Sequence, residues 1–228
     1  TKRHTHIMEP MYEVVDDLAE MALAAFQRMA SGEPLQYVIG KAWFYSREFK
    51  VTPDVLIPRP ETEVLVSEAI SGSRPSRVLD LCTGSGCIAW TLALEMPGAD
   101  IAAVDISDGA LRVASSQDFS EEAARTGALA PTFVKADVLK GPENHFQEVH
   151  KTIVQPDTLT SDVDGRYDVI VSNPPYVMDS EKALMRTNVL EHEPHLALFV
   201  PDEDPLVFYR AVADWAVRLL KKGGYGIV

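Results

Sequence analysis

The spacing of apolar residues changes character near residue 77. Ahead of it, Met11, Val14, Val15, Leu18, Ala22, Ala25, Phe26 and Met29 recur at helical spacing and predict an amphipathic helix over 11–30. Pro10 stands near its start and Gly32 just past its end, the usual asymmetry. Such a helix cannot bury its apolar face alone, so it packs on the rest of the chain or belongs to a larger helical domain. Aromatic and β-branched residues from Trp43 to Val51 predict a short hairpin. Pro53, Pro58 and Pro60 then fix an extended connector, because proline locks φ and restricts the residue before it. Thr62-Glu63 opens a helix running to about Ile70, and SGSRPS reads as a linker. From Arg77 short β-branched runs alternate with helical ones: strands at 77–81, 100–105, 132–137 and 167–172, helices at 87–95, 108–126 and 204–221, and a fifth strand from GGYGIV. That order predicts an α/β domain, a doubly wound parallel sheet with right-handed crossovers. The polar stretch at about 141–165 is longer than an ordinary loop and reads as an insertion. A sheet ending with the fifth strand would expose a long apolar edge, so further strands are expected beyond Val228.

Composition narrows the partners. A chain of 228 residues accommodates one ordinary domain plus an appendage. No apolar run approaches the roughly 20 residues that span a bilayer, so no membrane partner is expected. TKRHTHIMEP lacks the apolar region of a secretory signal. Two cysteines, Cys82 and Cys87, are too few for a disulfide scaffold and suit a reducing compartment. The net charge of −13 argues against free nucleic acid, whose binding rests on neutralising phosphates with Lys and Arg.

The candidate chemistry lies where strands stop. VLDLCTGSGCIA is a strand, a glycine turn and a helix, and Gly84 and Gly86 let a ligand or backbone come close. The turn resembles a dinucleotide fingerprint. Yet its strand carries Asp80, an acid that suits a positively charged ligand better than a pyrophosphate. S-adenosylmethionine has an ammonium and a sulfonium and no phosphate; a plain βα turn and a NAD or FAD site are the other readings. Asp105 ends the second strand, where a carboxylate can accept both ribose hydroxyls or cap a helix. Asp137 ends the third, where it can accept from an adenine amino group or cap a turn. After VIVS the chain turns abruptly at Asn173-Pro174-Pro175-Tyr176, since proline offers no N–H to a ladder. Methyl transfer to a planar nitrogen calls for such a turn. The lone pair is delocalised and the nitrogen must be aimed. The Asn173 side-chain carbonyl and the Pro174 backbone carbonyl can accept its N–H groups, Pro175 stiffens the turn and Tyr176 can cover the planar group. His192-x-x-His195 has metal-like spacing, but Pro194 interrupts the helix that would align the pair, so no metal is expected.

DLCTGSG, VDIS and SNPPY together resemble the class I methyltransferases that modify planar nitrogens, whose members include adenine-N6, cytosine-N4 and glutamine-N5 enzymes. PLQYVIGKAWFYSREFKVTPDVLIPRPETEVLV and EHEPHLALF are similar to the HemK-like protein-(glutamine-N5) methyltransferase family over roughly residues 34–228, and IPRPETE looks more like its release-factor branch than its ribosomal-protein branch. The resemblance implies a Rossmann-like S-adenosylmethionine-dependent fold. It also implies a protein substrate, the glutamine of the Gly-Gly-Gln loop in a class I peptide-chain release factor. Asp80, Cys82, Thr83, Gly84, Ser85, Gly86, Asp105, Ile106, Asp137, Val138 and Asn173 would bind the cofactor. Asn173, Pro174, Pro175 and Tyr176 would be catalytic, and Arg59, Pro60, Glu193 and Pro194 would shape the substrate pocket. By the same resemblance, residues 1–33 are the remnant of a helical substrate-docking domain, 34–75 the hairpin and connector, and 76–228 the methyltransferase domain. A larger helical domain before this point and a final β-hairpin after it are expected. Cys82 stands where the family usually has glycine and Val138 where many members have a bulkier apolar residue; the insertion is atypical of bacterial members. The expected compartment is the mitochondrial matrix for a eukaryotic source and the cytoplasm otherwise. Nothing in the pattern demands more than a monomer. A ribosomal-protein glutamine methyltransferase, a nucleic-acid methyltransferase and a catalytically silent binding module are the alternatives.

Overall fold

The computed structural model describes residues 16–71, 76–142 and 167–228. The expected insertion and the first turn of the expected N-terminal helix lie almost wholly outside them. Helix α1 spans Asp16–Ala30 and α2 Leu35–Ile39. Strands β1 (Lys41–Phe44) and β2 (Arg47–Lys50) form the expected hairpin, starting two residues earlier than predicted. Their two-residue turn puts Tyr45 and Ser46 at φ 48° and 63°, the left-handed geometry that matches strand twist and is more often given to Asn-Gly. The connector then runs through a single 3₁₀ turn, Pro60–Thr62, into α3 (Glu63–Ser71).

The remaining elements are β3 (Arg77–Leu81), α4 (Cys87–Glu95), β4 (Asp100–Asp105), α5 (Asp108–Ser115), α6 (Ser120–Thr126), β5 (Thr132–Lys135), β6 (Tyr167–Ser172), β7 (Val177–Met178), α7 (Thr187–His192), β8 (Phe199–Val200), α8 (Val207–Leu219) and β9 (Leu220–Ile227). The main sheet has the order β5-β4-β3-β6-β9, and its neighbours pair in parallel. The chain winds outward from β3 to β5, then returns to place β6 on the other side of β3. Between β3 and β6 lies the reversal point where open α/β sheets bind ligands.

Period-two side-chain alternation divides the core into two layers. Val78, Ile101, Ala103, Val169 and Val171 face α4 and buried residues of α3. Leu79, Leu81, Ala102, Val104 and Ile170 face Val212, Trp215 and Leu219 of α8. Because both faces are covered, these strands read as continuous apolar runs rather than alternating ones. The connector is fastened to this body: Val51, Val55 and Ile57 pack with Tyr37, Ala42 and two residues of α5, Ala110 and Val113, and the Tyr37 hydroxyl donates to the Val55 carbonyl at 2.6 Å.

Three boundaries differ from expectation. The helix expected over 108–126 is two helices. Between them Gln117 turns inward; its Nε2 donates to the carbonyls of Lys50 and Ser85 at 2.9 and 3.1 Å, and its Oε1 accepts from the Lys50 N–H at 2.9 Å. That tie to the hairpin outweighs helical propensity. The helix expected to reach residue 221 stops at Leu219. Lys221 is in β9, where its ammonium meets Asp168 at 2.9 Å. Strand β5 ends at Lys135, and Asp137 instead caps a 3₁₀ turn, accepting from Leu139 N–H at 3.0 Å.

Candidate active site

The carboxyl ends of β3 to β6 open into one cleft. Its walls include Asp54, Arg59 and Thr62 of the connector, Cys82–Ser85 after β3, Asp105–Ser107 after β4 and Ala136–Leu139 after β5. Asn173 and Pro175 after β6, Pro194 and Phe208 also line it.

The turn after β3 is built to stay open. Cys82 takes φ 61°, unusual for a residue with a side chain. Thr83 N–H then donates to the Val104 carbonyl, and Gly86 N–H to the Thr83 carbonyl. The two glycines do different work. A Cβ on Gly86 would meet Ala114 Cβ at 3.0 Å, so this glycine lets α4 pack on α5. A Cβ on Gly84 would meet nothing within 4 Å; that residue borders the cleft and leaves a cradle for a ligand. Both have positive φ, 55° at Gly84 and 78° at Gly86.

Three acids surround the turn. Asp80 is fully buried beneath it rather than on the cleft wall. Its Oδ2 accepts from Thr83 Oγ1 at 2.6 Å, while Oδ1 has no partner among the described residues. Burial pushes its pKa up to about 7, against the lowering effect of the Thr83 hydroxyl. Asp105 accepts from Gly84 N–H and Ser107 N–H, both at 2.9 Å. Burial raises its pKa, and those bonds oppose the rise. Each Asp105 oxygen keeps capacity for a further donor such as a hydroxyl. Asp137 lies on the wall with its neighbour Val138 buried. Trp215 Nε1 donates to the Val138 carbonyl at 3.0 Å, fixing that turn. Arg59 is the only cation on the wall among the described residues, and it is tied at 2.6 Å to Glu193, whose side chain is 1% exposed. The local field is therefore negative, which suits a ligand bearing positive charge and opposes a pyrophosphate. Burial pushes the thiols of Cys82 and Cys87 up, the latter to about 12, so neither is a ready nucleophile.

Asn173 stands at the cleft wall immediately after β6, and its Nδ2 donates to Thr62 Oγ1 at 3.2 Å. The preceding Ser172 hydroxyl donates to the Leu81 carbonyl at 2.8 Å and pins the end of β6 to β3. Pro175 lines the cleft and Pro174 is buried behind it. Tyr176 is 58% exposed and off the wall. Of the residues expected to shape a substrate pocket, Arg59 and Pro194 line the cleft, Pro60 is exposed outside it, and Glu193 is buried, also accepting from Ile57 N–H at 3.1 Å. Ile106 lines the cleft and Gly86 lies behind it. His192 and His195 are not gathered for a metal: His195 Nε2 lies 2.8 Å from the Leu190 carbonyl, and no group of three potential metal ligands occurs among the described residues. Sequence reading did not single out Asp54, Thr62 as a site residue, or Phe208. Thr62 read as a helix start, and its partner is 111 positions away.

No protein-family model matches the chain. Among curated proteins it is 43% identical over 198 residues to a release factor glutamine methyltransferase of Bacteroides thetaiotaomicron, covering 86% of this chain and 63% of that protein. A protein of the same name from Flavobacterium psychrophilum is 39% identical, with 84% and 61% covered. A bifunctional methyltransferase of Rickettsia felis is 37% identical over 92% of this chain and 41% of its own length. The chain thus spans somewhat under two thirds of the length of the release factor methyltransferases it matches. A solved SAM-dependent methyltransferase from Agrobacterium tumefaciens overlaps in part, at a TM-score of 0.45 and 18% identity over 81% of this chain and 49% of that one.

Proposed function

This chain is a homologue of the release factor glutamine methyltransferases, and from that premise we propose that it methylates the side-chain amide nitrogen of the glutamine in a release factor's Gly-Gly-Gln loop. The observation that carries the reading is that Asn173 and the open Gly84 turn face one cleft. S-adenosylmethionine fits the cofactor half on charge. Asp105, joined by Asp80 when it is ionised, supplies a negative field, Asp105 retains acceptor capacity for ribose hydroxyls, and the cradle at Gly84 is free of a Cβ. Thr83, Ser85, Ile106, Asp137 and Val138 complete that half. When bound, the cofactor supplies an electrophilic methyl on a positively charged sulfur.

What the chain's own residues contribute is aim. An amide nitrogen is a poor nucleophile because its lone pair is delocalised into the carbonyl. Asn173 Oδ1 and the Pro174 carbonyl are the acceptors proposed to hold its two N–H groups. In that hold the nitrogen faces the cofactor half of the cleft, and polarising its N–H bonds offsets the positive charge that grows during transfer. The methylated nitrogen then sheds one proton to water, so no side chain need act as a general base. Pro175 limits the freedom of the turn, and the exposed Tyr176 is available to cover the glutamine once it enters. We assign α1 to docking of the release factor, since Met21 and Phe26 are 70% and 66% exposed on it. No described helix is long and apolar enough to cross a membrane. The proposed location is a translating compartment, the cytoplasm or the mitochondrial matrix.

Asn173→Ala tests the division of roles. Methyl transfer should fall by about 10²–10³-fold, the usual effect of removing one preorganised polar group, while the Kd for S-adenosylmethionine measured by calorimetry stays within about threefold. Loss of cofactor binding together with activity would overturn it. Mass spectrometry of the release factor should place the methyl on the glutamine-bearing peptide; methyl found instead on RNA or DNA would remove the protein-substrate reading.

A further inference from the structure

The side-chain amide of asparagine has two unlike ends, and its terminal torsion is broad and roughly two-fold. Turned one way, Asn173 offers the cleft an acceptor. Turned the other, it offers an NH₂ that opposes the N–H groups of an incoming amide. Nothing within Asn173 chooses between them.

We propose that Thr62 pins this torsion in the orientation the structure shows and is a positioning residue for methyl transfer. The inference rests on the methyltransferase reading above. Asn173 Nδ2 donates to Thr62 Oγ1 at 3.2 Å, which leaves Oδ1 for the cleft. Thr62 is only 7% exposed, so water competes poorly for its hydroxyl. Its backbone is also held: Thr62 N–H donates to the Arg59 carbonyl at 3.0 Å and closes the 3₁₀ turn Pro60–Thr62. That turn is anchored on both sides. Ahead of it, Ile57 N–H and the Arg59 guanidinium meet the buried Glu193 carboxylate at 3.1 and 2.6 Å. Behind it, the Glu63 carboxylate accepts from Tyr45 N–H at 2.8 Å. The hydroxyl is thus fixed by the connector and not by the catalytic turn itself. The connector thereby holds a side chain that follows β6, 111 positions away.

The test compares Thr62→Val, which keeps the branched shape and removes the hydroxyl, with Thr62→Ser, which keeps the hydroxyl. In the full-length protein acting on a release factor, Thr62→Val should lower kcat by about tenfold or more, as expected for a misoriented group, with the Kd for S-adenosylmethionine within about threefold of the parent. Thr62→Ser should hold kcat within about threefold. A second readout needs no turnover. The side-chain amide protons of Asn173, identified by their absence in Asn173→Ala, should exchange faster with solvent in Thr62→Val and remain protected in Thr62→Ser. Parent-like or faster turnover by Thr62→Val, an equal loss in both variants, or Asn173 protons indifferent to the substitution would each overturn the proposal. Should the parent transfer no methyl to the release factor, the substrate reading fails, and the amide protons alone decide whether Thr62 orients Asn173.

Discussion

Asp80 carries an electrostatic load that its neighbours relieve only in part. It is a fully buried carboxyl with one oxygen bonded to Thr83 and the other without a partner among the described residues. Its pKa is pushed from the ordinary value of about 3.9 up to about 7 by burial. The folded state therefore holds the proton over a window in which the unfolded state has released it. Stability from this group is fully present below about pH 4 and is lost as pH rises toward 7. Asp80→Asn should stabilise the ligand-free protein at neutral pH and flatten the fall in denaturation midpoint between about pH 4 and 7, while weakening S-adenosylmethionine binding. A parent-like pH profile in the variant would show that the carboxyl ionises alike in the folded and unfolded states. At this scale the sequence is informative where chemistry coincides with a strand end: Asp80, Asp105 and Asn173 all stand at or beside the predicted cleft. It is silent on Thr62, because a hydroxyl at a helix start has an ordinary local reason to be there.

Elements place those residues, and the βα turn after β3 shows how finely. Gly84→Ala and Gly86→Ala look alike in sequence and should behave differently. Both introduce a side chain at positive φ, which costs about 1–2 kcal/mol. Only at Gly86 does the new Cβ also meet Ala114 at 3.0 Å, adding an overpacking cost of about 1–3 kcal/mol. Chemical denaturation should therefore rank Gly86→Ala as the less stable variant, and calorimetry should find the larger relative loss of cofactor affinity in Gly84→Ala. The opposite ranking would contradict the roles given to the two glycines. The parallel sheet and its strands were legible because both faces are buried, which makes each strand a continuous apolar run. The break at Gln117 was not, since local propensity favours one long helix and the competing hydrogen bonds go to Lys50, 67 positions away. Tyr176 and Pro60 show a similar limit: a motif fixes their neighbourhood in the chain, whereas their exposure follows from how the turn meets the rest of the fold.

For the molecule as a whole, the connector joins the hairpin, the Asn173–Tyr176 turn and the segment after α7 into one body. Arg59 and Glu193, 134 positions apart, tie it to that segment, with the Glu193 side chain 1% exposed. Arg59→Met would leave the Glu193 carboxylate with the Ile57 N–H as its one hydrogen-bond donor among the described residues. Breaking a buried pair from one side costs about 3–5 kcal/mol; because Arg59 is one-third exposed, a loss of about 2–3 kcal/mol is expected by denaturation. A change below about 0.5 kcal/mol, the usual surface level, would show that the pair does not hold the connector. The motifs told which residues gather around the cleft, but pairing Arg59 with Glu193 required the fold, because either could have been a surface charge. The activity proposed for this cleft is methylation of a release-factor glutamine. The most direct measurement is transfer of labelled methyl from S-adenosylmethionine to a purified release factor, run beside its Gly-Gly-Gln→Gly-Gly-Ala variant with the full-length protein. Label on the parent factor alone is the predicted result. Equal label on both, or none on either while S-adenosylmethionine still binds, would contradict it.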